Sequence, residues 1–155
     1  MNIAFVPVRC GSKSIPFKNI KSFCGKPLVY WNLLALQNSS KVDFIYVATD
    51  CEEIESVVTD FLFSKVKIYR RTAKNSADSS STESVILEFI EINKFDNKDL
   101  FLLVQATSPL TQSHDFDNAL ESLKQSGKDS LLTCVRTKNF FWNSKGPLNY
   151  DFKDR

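Results

Sequence analysis

The sequence predicts an α/β fold, a mostly parallel sheet with helices on both faces. Three observations carry that expectation. Short runs rich in Val, Ile, Leu and Phe recur at 2–8, 43–48, 65–70, 99–105 and 130–136. Longer segments with helical spacing of apolar residues lie between them, at 27–38, 51–63, 81–94 and 115–126. Strands separated by whole helices need crossover connections, which make the strands parallel and cover both faces of the sheet. A chain of 155 residues, 43% of them hydrophobic, suits one domain that buries about 70% of its unfolded surface.

Taken in order, the run 2–8 (NIAFVPV) reads as an opening strand. It lacks the basic flank and small-residue cleavage site of a secretion signal, and the expected location is cytoplasmic. Pro27 sits where the first turn of a helix tolerates proline. Asp50 followed by Glu53 resembles a capping box for helix 51–63, so Asp50 is read as an N-cap rather than a catalytic acid. Ser80 followed by Glu83 repeats the pattern ahead of helix 81–94, and the Ser-rich stretch Ser76 to Thr82 reads as loop and cap. In the segment 115–126, Phe116, Leu120 and Leu123 fall on one face, with Asp117, Glu121 and Lys124 away from it. Beyond Arg136 the pattern becomes polar and aromatic (Phe140, Phe141, Trp142, Tyr150, Phe152) and no closing helix follows. The expected organisation is a nucleotide-binding α/β domain over 1–136 and the start of a C-terminal segment, cut short, over 137–155.

Charge and composition narrow the function. Residues 1–42 contain no Asp or Glu and six basic groups: Arg9, Lys13, Lys18, Lys21, Lys26 and Lys41. The whole chain carries only +2, whereas nucleic-acid binding usually shows a basic excess across a domain. A local positive pole beside a strand end suits a small anionic ligand. The longest uninterrupted apolar stretch, Leu100 to Val104, is too short to span a bilayer. Cys10, Cys24, Cys51 and Cys134 show no C-x-x-C spacing and His114 is the single histidine, which disfavours a Cys/His zinc site and favours reduced thiols. His114 itself reads as a polar residue in the first turn of a surface helix.

Sheets of this kind bind ligands beyond the carboxyl ends of their strands, near a switch in strand order. The loops after residues 8, 70 and 105 are therefore the candidates. The first runs Val8-Arg9-Cys10-Gly11-Ser12-Lys13-Ser14-Ile15-Pro16-Phe17-Lys18-Asn19-Ile20, followed by Gly25-Lys26-Pro27-Leu28. Glycine and a small hydroxyl residue after a strand let backbone N–H groups turn toward a ligand, and Arg9, Lys13 and Lys18 add fixed positive charge. That combination can hold a triphosphate and stabilise a departing pyrophosphate. Neither G-x-x-x-x-G-K-[ST] nor G-x-G-x-x-G is present, which disfavours a P-loop ATPase and an ordinary dinucleotide dehydrogenase.

R-x-G-S-K-x-I-P-x-K-N-I followed by G-K-P-L closely resembles the opening of the acylneuraminate cytidylyltransferases, the CMP-sialic acid synthetases. Three further segments resemble that family in the same order: Val47-Ala48-Thr49-Asp50, the run Arg71 to Thr82, and Leu103-Val104-Gln105-Ala106-Thr107-Ser108-Pro109-Leu110. The resemblance covers essentially the whole chain. It implies a Rossmann-like nucleotide-diphospho-sugar transferase fold and a reaction in which CTP and a nine-carbon 2-keto sugar acid give a CMP-sugar and pyrophosphate. By the same resemblance, Arg9, Ser12, Lys13 and Asn19 hold the triphosphate and ribose, with Lys18 an additional phosphate contact. Arg71, Ser80 and Thr82 surround the cytosine ring. Gln105 lies between nucleotide and sugar, and Thr107 and Ser108 are directed at the sugar acid. Arg9, Lys13 and Gln105 are the expected catalytic residues.

Each role has a structural alternative: Arg71 solvating a sheet edge, Ser80 only capping, Thr107-Ser108-Pro109 forming a simple turn. The chain also departs from the family pattern. Ala106 stands where proline is usual, and Thr111 where arginine usually follows S-P-L, which leaves legionaminic-, pseudaminic- or other keto-sugar acids open as acceptors. A truncated domain that binds a cytidine nucleotide without turnover is the further alternative. The resemblance implies Mg²⁺ as cofactor, and phosphoryl transfer from a Mg²⁺-bound nucleotide usually needs a carboxylate ligand. No pattern selects one among Asp78, Asp151 and Asp154. The implied partners are CTP and a keto-sugar acid, with no nucleic acid and no membrane, and a homodimer where the C-terminal segment is present.

Overall fold

A computed structural model of the chain describes residues 1–11, 15–72, 75, 81–136, 139–149 and 151. Four strands form the central sheet: β1 (Asn2–Pro7), β4 (Phe44–Thr49), β5 (Val66–Arg70) and β6 (Leu100–Leu103). Two short hairpins lie outside it, β2 (Ser22–Phe23) with β3 (Lys26–Pro27), and β7 (Trp142–Asn143) with β8 (Gly146–Pro147). The helices are α1 (Leu28–Asn38), α2 (Glu52–Thr59), α3 (Thr82–Asn93) and α4 (Ser113–Ser126), with a 3₁₀ turn at Lys18–Ile20.

The sheet order is β5-β4-β1-β6, and every pairing in it is parallel. β1 is central because it is apolar on both faces. Ala4 and Val6 point to one side, where they pack with Val29, Leu33 and Leu36 of α1, Ile54 and Val58 of α2, and Phe116 and Leu120 of α4. Ile3 and Phe5 point to the other, against Val85 and Phe89 of α3. The two-residue alternation of a strand thus feeds two cores from one segment. The second core is aromatic: Phe89 lies 4.9 Å from Phe5, 4.7 Å from Tyr46 and 4.9 Å from Tyr69, ring centre to ring centre. Right-handed crossovers account for the layering. The chain moves outward from β1 to β4 to β5 with α1 and α2 on one face. It then returns to the other side of β1, which puts α3 on the opposite face.

Several expected elements differ in the structure. The strand expected at 130–136 does not form: residues 131–136 are exposed, unpaired coil, with Leu132 89% and Val135 84% exposed. An apolar run becomes a strand only where a sheet edge receives it, and among the described residues none does. The strand expected over 99–105 covers only Leu100–Leu103 and lies at an edge of the sheet. Helix α2 stops at Thr59, short of 63, because Leu62 turns left-handed (φ 53°) and Phe61 and Phe63 fold inward around Tyr30. Its N-cap is Cys51, without a side-chain capping bond, and Asp50 instead accepts the Cys10 N–H at 3.0 Å. Asp50 is therefore a tie between two loops, not a cap. Helix α3 is capped by Ser81, whose hydroxyl accepts the Ser84 N–H at 3.1 Å; Ser80 lies outside the described residues. Asp117, expected to point away from the core, turns toward the α1–β4 connection and binds Ser39 and Ser40. Pro27 is the N-cap of α1, one residue ahead of the first turn. His114 is, as expected, an exposed residue in the first turn of α4. No helix among the described residues is long and apolar enough to cross a membrane.

Candidate functional site

Strand order reverses between β1 and β6, so the loops leaving their carboxyl ends part and leave a crevice. A cavity of about 420 Å³ occupies it, lined by Pro7, Arg9, Lys18, Asn19, Arg71, Ser81, Thr82, Gln105, Ala106 and Thr107. The volume is in the range of small-molecule sites. All three loops singled out from the sequence contribute.

Each wall has a local cause. After β1 the chain reaches Phe17, whose left-handed backbone (φ 50°) starts the 3₁₀ turn carrying Lys18 and Asn19. Ile20 packs against the larger core and anchors that turn, and the Leu28 N–H donates to the Lys21 carbonyl at 2.9 Å. Asn19 is buried. On the opposite wall the Arg71 N–H donates to the Thr49 carbonyl at 2.9 Å, continuing the β4–β5 ladder one residue past β5, and its Nε donates to the Ala48 carbonyl at 3.3 Å. Burial lowers the Arg71 pKa from its ordinary value, the neighbouring Arg9 charge lowers it further, and Asp50 opposes both. The segment after Arg71 is fastened to α3 by Glu88, which accepts from Tyr69 Oη at 2.6 Å, Thr72 Oγ1 at 2.7 Å and Asn75 Nδ2. Burial opposes ionisation of Glu88, but these donors outweigh it and hold the carboxyl below the usual range.

Ser81 and Thr82 bring the N-terminus of α3 into the wall, where helix amides and the positive end of the dipole favour an anion. The third wall follows β6. The Val104 N–H still bonds the Phe5 carbonyl at 2.9 Å, and the Gln105 carbonyl then accepts from the Ser108 N–H and from Asn32 Nδ2, each at 3.2 Å. Asn32 lies on α1 and is fully buried, and its Oδ1 has no hydrogen-bond partner among the described residues.

Of the residues expected in the site, the structure brings together Arg9, Lys18, Asn19, Arg71, Thr82, Gln105 and Thr107. Ser108 does not line the cavity; its amide and carbonyl close the turn after Gln105, so its backbone shapes the loop. Ser12, Lys13 and Ser80 lie outside the described residues. Pro7, Ser81 and Ala106 are additions to the lining, and Asn32 supports it from α1 through the Gln105 carbonyl. Ser81 stands one position from the serine chosen by the capping pattern, while the signal for Asn32 is a lone amide inside the apolar run Val29 to Leu36. Among the described residues the lining has three cations and no carboxylate. The geometry suits a polyanion flanked by groups able to read a polar ring. These residues do not by themselves form a magnesium site, since that ion is usually bound through one or two carboxylates.

A family model described as cytidylyltransferase matches residues 3–140. The chain belongs to the cytidylyltransferase family. It is 36% identical over 156 residues to an N-acylneuraminate cytidylyltransferase of Oncorhynchus mykiss, an alignment covering 96% of this chain and 35% of that protein. It is 32% identical over 130 residues to a CMP-N,N'-diacetyllegionaminic acid synthase of Legionella pneumophila, covering 81% of this chain and 54% of the relative. Among solved structures, a CMP:2-keto-3-deoxy-manno-octonic acid synthetase complexed with CTP shares the fold, with TM-score 0.65 and 21% identity over 81% of this chain and 48% of that one. This cytidylyltransferase-family chain thus spans about a third to a half of the length of these proteins.

Proposed function

We propose that this chain supplies the nucleotide-binding half of a cytidylyltransferase that joins CTP to a nine-carbon 2-keto sugar acid and releases pyrophosphate. The observation that carries the reading is the cavity at the strand-order switch, where Arg9, Lys18 and Arg71 converge with no carboxylate among the described lining residues. In this reading Arg9 and Lys18 grip the phosphates, joined by Ser12 and Lys13 of the same loop. Asn19 contacts the ribose. Arg71 and Thr82, with Ser80 or its neighbour Ser81, meet the base, and Gln105 and Thr107 face the sugar. The anomeric hydroxyl oxygen of the sugar acid attacks the α-phosphorus in line and gives up its proton to solvent, the bond to the β-phosphate bridge oxygen breaks, and pyrophosphate leaves with the electron pair. The protein's contribution is alignment and fixed positive charge where negative charge accumulates. Mg²⁺ enters this proposal only as a companion of the nucleotide phosphates, because the described lining offers it no carboxylate.

The likeness to a legionaminic acid synthase, together with Thr111 where arginine is usual in the family, favours a second acceptor class, the modified nonulosonates. Calorimetry with CTP, UTP and ATP tests the nucleotide reading: CTP binds best, and Arg9→Ala weakens it about 10- to 100-fold, the range of a charge-assisted contact. Equal affinity for the three nucleotides, or an unchanged Arg9→Ala, overturns it. Pyrophosphate release over a panel of keto-sugar acids identifies the acceptor. CTP binding with no release from any of them makes the chain a binding domain without turnover.

A further inference from the structure

Behind the cavity wall two thiols meet that the nucleotide reading does not use. Cys10 directly follows Arg9, and Cys51 opens α2 just past β4. The register brings them together: β1 and β4 pair Pro7 with Ala48, the Val8 N–H bonds the Ala48 carbonyl at 2.9 Å, and three steps along each chain from that pair reach Cys10 and Cys51. Adjacent strands lie roughly 4.8 Å apart, inside the range of Cα separations that a disulfide spans. The two sulfurs are 2.6 Å apart, both are free thiols, and the Cys10 N–H is held by Asp50 Oδ1 at 3.0 Å. We propose that Cys10 and Cys51 are a reversible dithiol–disulfide pair, oxidised by hydrogen peroxide and restored by a thiol reductant.

Exposure assigns the order of events. Cys10 is half-buried and reachable, whereas Cys51 is only 4% exposed. Burial pushes the Cys51 thiol up to about 12, helped by hydrogen bonds to Cys10 and Glu53, so it is a poor first nucleophile. The Cys10 thiolate attacks one peroxide oxygen, the O–O bond breaks, and hydroxide leaves, giving a sulfenic acid. Cys51 then attacks the Cys10 sulfur. Its proton passes to Glu53 Oε2, 3.0 Å from Cys51 Sγ, and on to the departing hydroxide, which leaves as water. The bond closes residues 10–51 into a covalent ring and pins the residue next to Arg9. This assignment stands whether or not the cavity binds CTP.

The test uses the full chain with the exposed Cys24 and Cys134 replaced by serine, so that only the pair remains. After peroxide treatment the expected result is a monomer lighter by two hydrogens, no titratable thiol, and recovery of both thiols with dithiothreitol. In the same background Cys10→Ser leaves the Cys51 thiol titratable under identical peroxide, which separates pairing from general oxidation. Oxygen added to a single cysteine, a disulfide between chains, or two unchanged thiols overturns the proposal. The sulfurs and a Glu53 oxygen also lie within 4.8 Å of one another. One equivalent of zinc retained through dialysis and blocking both thiols reassigns the pair as a metal site and equally overturns it.

Discussion

Asn32 is the residue whose environment says most about how the candidate site is held. It sits on α1 among side chains that face the larger core, and its one hydrogen bond leaves the helix to reach the Gln105 carbonyl. Asn32→Ala removes that donor together with an acceptor that has no partner among the described residues, so the net loss is expected near 1 kcal/mol. Asn32→Asp places a carboxylate against a carbonyl oxygen with no donor beside it among the described residues, and should cost about 3 kcal/mol or more. Urea unfolding of the two variants checks the difference; equal losses would mean the bond to Gln105 is not made. Residues of this kind are hard to read from sequence. Arg9 and Lys18 were legible as fixed charge in the loop after the first strand, and Arg71 and Gln105 through the resemblance to the acylneuraminate cytidylyltransferases. Asn32 was not, because a polar residue within an apolar helix shows its purpose only once the opposing loop is placed. Ser81 was missed for a narrower reason: consecutive serines offer the same capping chemistry, and only the backbone turn decides which one caps.

At the scale of elements, the sequence specifies what is paired and covered better than where elements stop. The four sheet strands and four helices lie where the apolar repeats put them, within a few residues. The run 130–136 shows the limit: its side chains have strand character, but strand formation is a property of two partners. Helix α2 fails at its C-terminal end for a related reason, since Phe61 and Phe63 gain more by entering the aromatic contact with Tyr30 than by prolonging the helix. In helix α3 one side chain makes the widest set of ring contacts with the sheet. Phe89 is fully buried and touches rings from β1, β4, β5 and β6. Phe89→Ala is expected to cost about 3–5 kcal/mol, a large part of the roughly 5–15 kcal/mol that keeps a domain folded. Guanidinium unfolding measures it. A loss below 1 kcal/mol would show that α3 is not bound to the sheet through this ring.

For the whole molecule, the Asp117 carboxylate couples α4 to the connection between α1 and β4, two segments far apart in the chain. It lies on α4 and accepts from Ser39 and Ser40 hydroxyls and from the Ser40 and Lys41 amides in the α1–β4 connection. Burial alone raises its pKa, but the hydrogen bonds outweigh it and bring the group to about 2. A carboxyl whose folded value lies below its unfolded value, about 3.9, gives stability that is full at neutral pH. That stability is lost as pH falls from about 4 through about 2. The native protein should therefore weaken across that window, while Asp117→Asn is less stable at pH 7 and flatter between pH 4 and 2. Unfolding free energies measured at several pH values decide it, and parallel curves for the two proteins would remove Asp117 from the account.

The central place of β1 has a consequence for how the chain is made. It is synthesised before the other strands of its sheet, yet one of its two edges is matched only by Leu100–Leu103, after β4, β5 and three helices have been synthesised. A nascent chain that ends before β6 carries a completed apolar strand with an open flank, the kind of surface that sticks to its neighbours on a polysome. Translation speed across the segment from α3 to β6 thus sets how long that flank waits, and slow codons there would raise the demand for chaperones.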